Sequence, residues 1–105
     1  MSGPVENKEE VISRLEAASE ELAALGVWGI GLFGSFVTGR QTPMSDVDIL
    51  VEFSPDKHSF DNFMALSFFL EDLLGRKVGV VTTDALSPHI GPHILKEVEY
   101  ATLAA

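Results

Sequence analysis

Three short apolar runs limit what this chain can fold into: VWGIGLF (27–33), DVDILVEF (46–53) and KVGVVT (77–82). Each has the length of a strand and is rich in β-branched or aromatic residues. Around them the apolar periodicity becomes helical. From about Glu6 to Leu25, residues Val11, Leu15, Ala18, Leu22 and Leu25 recur at spacings of four and three, one stripe of a single helix. Glu6, Glu9 and Glu10 complement the dipole at its start, and Gly26 stops it. Gly34-Ser35 breaks the first apolar run, with Ser35 placed to cap a short helix reaching about Gly39. A further helix spans Ser59–Leu74 and ends at Gly75. Its apolar residues occupy more than one face, which favours a thick core over a docking face. Ser87-Pro88 opens a last segment with Ser87 as a candidate cap. Pro92 lacks an amide, so regular helix is expected only from Gly91 or Pro92.

The order is helix, strand, short helix, strand, helix, strand, helix. That is an α/β (α+β) layout, a small β-sheet flanked by helices in one domain over residues 1–105. Residues 1–5 read as a flexible tail and the closing ATLAA as a frayed end. Trp28, inside an apolar run, reads as core.

The chain has no cysteine, which excludes disulfides, thiolate zinc sites and cysteine nucleophiles. No apolar stretch approaches the roughly 20 residues of a membrane span. The polar, acidic start MSGPVENKEE is unlike a secretory signal, so a cytoplasmic protein is expected. Sixteen acidic against seven basic residues give a net charge of −9. Such a surface repels nucleic-acid backbones and anionic membranes and suits a basic protein partner. At this size the burial margin is thin, so an oligomeric or partner contact would help stability.

The chemistry concentrates in GSFVTGRQTPMSDVDILVEF, residues 34–53. Gly34 lets backbone approach a phosphate, and Ser35 adds a hydroxyl and a helix start. Asp46 and Asp48 are hard oxygen donors two residues apart at the mouth of a strand. By strand parity they face one side and can hold Mg²⁺. Arg40 is the one basic residue in the segment and a candidate phosphate contact. Either half alone is commonplace, a turn or a solvated strand end. Together, with carboxylates running straight into an apolar strand, they suit gripping a metal–nucleotide triphosphate.

This segment resembles the signature of the DNA polymerase beta-type nucleotidyltransferase superfamily. More narrowly, it is similar to the minimal nucleotidyltransferase (MNT) proteins of bacteria and archaea. LLGRKVGVV and TTDALSPHI follow in the family's order, so the likeness spans most of the chain. The resemblance implies a small mixed sheet flanked by helices, with Gly34 and Ser35 holding the phosphates of ATP and Asp46 and Asp48 ligating Mg²⁺. It further implies an antitoxin that transfers AMP from ATP to a HEPN-type toxin partner.

The family pattern places a third carboxylate on the next strand, where RKVGVVT (76–82) has Gly79. Glycine can neither complete a metal shell nor take a proton, which brings in a rival expectation: a lapsed domain that neutralises its partner by binding alone. Glu52 shares Asp48's strand parity but lies four residues on. Asp84 lies past the strand and reads as a cap or turn residue. Asp56, Asp61 and Asp72 read as solvated or capping. His89 and His93 read as a surface pair, and His58 adds no metal-ligand spacing to them. Tyr100 reads as a packing or surface residue.

Overall fold

A computed structural model describes residues 3–103. Its sheet holds the three expected strands and one more. Strand β1 is Val27–Phe33, β2 is Val47–Phe53, β3 is Val78–Thr82 and β4 is Glu99–Tyr100. The spatial order is β3-β2-β1-β4. Strand β1 runs antiparallel to β2 and β4, and β2 runs parallel to β3, so the sheet is mixed.

The helices are α1 (Lys8–Ala17), α2 (Ser19–Ala24), α3 (Ser35–Thr38), α4 (Phe60–Leu74) and α5 (Gly91–Glu97). The single long N-terminal helix is therefore corrected to two. Ala18 leaves helical geometry (φ −99°, ψ 19°) while its amide still bonds the Arg14 carbonyl. The stripe survives the break, since Val11, Leu15, Ala18 and Leu22 are all buried. Asn7 caps α1 by accepting from the Glu10 amide, and Ser59 caps α4 by accepting from the Asn62 amide. Gly75, in the left-handed conformation, ends α4. Helix α5 begins at Gly91, as Pro92 requires. The Ser87 hydroxyl accepts from the Ile90 amide, so it caps the turn before α5 and not the helix itself.

One face of the sheet carries the core. Ile30 and Leu32 of β1 and Val47, Ile49 and Val51 of β2 are fully buried against Leu15, Leu22, Leu66, Leu70 and Leu74 of the helices. Burying one such leucine contributes about 1.5–3 kcal/mol. Helix α4 divides its apolar residues: Leu66, Leu70 and Leu74 are buried, while Phe60 and Phe68 stand in solvent. On the opposite face, a Cβ at Gly31 would meet Val98 and Tyr100, so the α5–β4 corner lies there. Leu50 and Ile94 are buried outside the main core.

Three expectations fail for reasons of tertiary contact. Trp28 is 64% exposed. The β1–β2 register slips between Val27 and Gly29, which turns the extra residue off the core face. The tail at residues 1–5 is anchored where it is described: Val5 is fully buried and its amide bonds the Leu74 carbonyl at 3.0 Å. Met1 and Ser2 lie outside the described residues. The C-terminal segment is also held, because Ala101 is buried and its amide bonds the Ile30 carbonyl at 3.0 Å, continuing β4. Ala104 and Ala105 lie outside the described residues. Among the described residues, no helix is long and apolar enough to cross a membrane.

Candidate functional site

The site gathers at one end of the sheet, where β1 ends and β2 begins. Gly34 follows β1 directly, with φ 79° and ψ −151°. Its carbonyl accepts from the amides of Val37 and Thr38 (3.0 and 3.1 Å), so Gly34 holds the cap position and the helix starts one residue earlier than a Ser35 cap would require. Ser35 is the first residue of α3, and no side chain caps that helix. Arg40 follows Gly39 with its amide on the Ser35 carbonyl (3.0 Å) and its side chain exposed.

Asp48 lies in β2 between two neighbours, Phe33 of β1 and Gly79 of β3. Its carboxylate packs against Gly34 so closely that a Cβ there would fall on it. Asp46 stands one residue before β2 and is exposed, whereas Asp48 is half-buried. Burial pushes the Asp48 carboxyl above its ordinary value, and the charges of Asp46 and Glu97 push it the same way. The structure thus sets Asp48 against Gly34, with the charges of Asp46 and Glu97 acting on it.

Glu97 is the residue that sequence reading missed. It closes α5, 49 residues beyond Asp48, and its Oε1 accepts from the Gly34 amide at 2.8 Å. No spacing rule connects it to the 34–48 segment; only the return of α5 along the sheet does. Glu52, by contrast, is exposed farther along β2. Asp84 pairs with His58 (3.1 Å) near the far end of β2, away from the site. His89 and His93 are exposed.

Gly79 sits beside Asp48 in the parallel register, and a Cβ there would lie 3.2 Å from Asp48 Oδ1. Among the described residues, no group of three or more His, Asp or Glu side chains is arranged to hold a metal ion. Two carboxylates remain as donors. That set suits Mg²⁺, which is typically bound by one or two carboxylates together with waters and substrate phosphates. A groove of about 660 Å³ opens beside the site, lined by Gln41, Thr42, Asp46, Arg76 and Lys77 among others. It includes Asp46 but neither Asp48 nor Gly34.

Comparison with known proteins gives these positions a context. Residues 12–103 match the nucleotidyltransferase domain family. The protein adenylyltransferase MntA of Thermococcus cleftensis is 43% identical over 93 residues, covering 88% of this chain and 93% of that protein. A solved structure described as a candidate minimal nucleotidyltransferase superposes with a TM-score of 0.79 at 30% identity, over 92% of this chain and 98% of the other. A toxin–antitoxin structure with AMP-PNP shares the fold, with a TM-score of 0.64 at 22% identity, over 82% of this chain and 73% of the other.

Proposed function

This chain belongs to the nucleotidyltransferase domain family, and on that premise we propose that it transfers AMP from ATP to a hydroxyl of a HEPN-type toxin partner, acting as the antitoxin. The observation that carries this reading is the Asp48 carboxylate set against Gly34, with the charge of Asp46 acting on it. The kinship with a protein adenylyltransferase supports the choice of AMP and of a protein acceptor. The fold also occurs in a chain solved within a toxin–antitoxin assembly with AMP-PNP.

In this reading Gly34, Ser35 and Arg40 hold the triphosphate, and Asp46 and Asp48 hold Mg²⁺. Bound Mg²⁺ supplies charge neutralisation on the phosphates and polarises the α-phosphorus. The residues' own work is placement. Gly34 and Ser35 would fix where the phosphates lie, and the two carboxylates, by way of the Mg²⁺ they would hold, would keep the α-phosphate facing solvent, where a partner's hydroxyl can attack in line. The acceptor oxygen bonds the α-phosphorus, pyrophosphate leaves, and the hydroxyl proton is released.

Gly79 favours a second reading, a lapsed domain that neutralises its partner by contact, because Asp48 has a glycine where the family pattern places a carboxylate. One experiment separates the two. The purified chain is incubated with a HEPN-type toxin protein, Mg²⁺ and α-labelled ATP. Label on the partner, lost in Asp46→Ala and Asp48→Ala, is the expected result. Partner binding without label, unchanged by either substitution, would overturn transfer in favour of contact.

A further inference from the structure

We propose that Arg76 is the positioning residue for Asp46, locking the loop that aims this carboxylate into the site. The proposal rests on the site reading above, but its geometric basis is separate. Asp46 lies in no strand or helix and is exposed, so its own contacts do not hold it. Both of its neighbours are held by the dipeptide 76–77. Arg76 Nη1 lies 3.1 Å from the Ser45 carbonyl, and the Val47 amide donates to the Lys77 carbonyl at 2.9 Å.

The same Nη1 lies 3.2 Å from the Thr42 carbonyl and 3.0 Å from the Pro43 carbonyl. Two hydrogens facing three acceptors means that one is shared. Arg76 Nε donates to the Val5 carbonyl at 2.6 Å, and the guanidinium sits 5.2 Å from the ring centroid of Phe36. One planar cation therefore joins the N-terminal segment, the helix after Gly34-Ser35 and the loop before Asp46. Its rigid fork is what allows this; a lysine ammonium is a point donor and cannot reproduce it. The loop is closed internally as well, with the Thr42 amide donating to Ser45 Oγ and the Ser45 amide to the Thr42 carbonyl. Arg76 thus clamps a preformed turn as a unit. Groups that orient a metal ligand without touching the metal act in this way.

The test uses the full chain with substitutions Arg76→Ala and Arg76→Lys. ATP binding is measured by calorimetry in Mg²⁺ and again in EDTA, and amide hydrogen exchange is followed residue by residue. Arg76→Ala should lose about 10–100-fold of the affinity in Mg²⁺ while changing by less than about twofold in EDTA, with Arg76→Lys between. Exchange should quicken selectively at Ser45, Asp46 and Val47. Equal losses in Mg²⁺ and EDTA, or exchange quickened uniformly along the chain, would mark Arg76 as merely structural and overturn the proposal. If Arg76→Ala does not fold, Arg76→Lys and its exchange pattern decide alone. If the unsubstituted chain shows no Mg²⁺-dependent ATP binding, the metal-nucleotide reading fails, and selective exchange at 45–47 still judges the clamp.

Discussion

Asp48 has a glycine on either side, and the two differ in kind. Gly34 is required by the backbone. Its φ of 79° and ψ of −151° lie where essentially only glycine is found, and a Cβ would fall on the Asp48 carboxylate. Gly79 is not required in this way. It has no left-handed φ, and its Cβ would lie 3.2 Å from Asp48 Oδ1, the mobile end of a side chain. The fold needs the first glycine and merely accepts the second. The missing carboxylate is therefore a chemical omission that the scaffold does not impose.

The sharpest test of that contrast is Gly79→Asp. If the omission limits turnover, label transfer to the partner should rise by about 10²–10⁴-fold, the ordinary worth of a positioned acid or base. Gly79→Ala should leave the rate unchanged. A gain with alanine, or none with aspartate, would break the comparison. Gly34→Ala should come next, destabilising the fold by about 1–3 kcal/mol from the backbone alone, read from denaturant unfolding. An unchanged midpoint would show that the turn relaxes freely.

Asp48→Asn sharpens the account of charge. The folded carboxyl is raised above its ordinary value of 3.8, by burial first and then by Asp46 and Glu97. The protonated form is thus the better tolerated one. Its contribution is fully present below the ordinary value and is lost as pH rises through the folded value. Without divalent ions, Asp48→Asn should melt above the unsubstituted chain at neutral pH, and the gap should close as pH falls towards 3.8. Added Mg²⁺ should narrow the gap by stabilising only the unsubstituted chain. The smallest effect belongs to Trp28→Ser. A side chain 64% exposed should change stability by no more than about 0.5 kcal/mol. A larger loss would return Trp28 to the core, where its sequence context placed it.

The first three strands, the extent of α4 and the approach of Asp48 to Gly34 were legible because each rests on local chemistry. Side-chain alternation, a serine cap, a glycine stop and two carboxylates at a strand mouth are all written within a few residues. Gly79 was legible too, as a gap in a pattern, and the register then placed it beside Asp48. Trp28 was misjudged because an apolar run does not announce a bulge. The break at Ala18 was hidden because the buried stripe continues through it.

By itself, then, the sequence determined the order of the first three strands and the helices between them, the family likeness and the two carboxylates proposed for the site. Only the tertiary structure decided what surrounds them. Glu97 reaches Gly34 across 63 residues, Arg76 reaches Ser45 across 31, and Val5 joins the core beside Leu74. The physical reason is the range of the forces each reading uses. Propensity and periodicity report on a chain's immediate neighbours. A hydrogen bond between distant segments is set by how the sheet is ordered and which helix crosses it, and no local pattern encodes that.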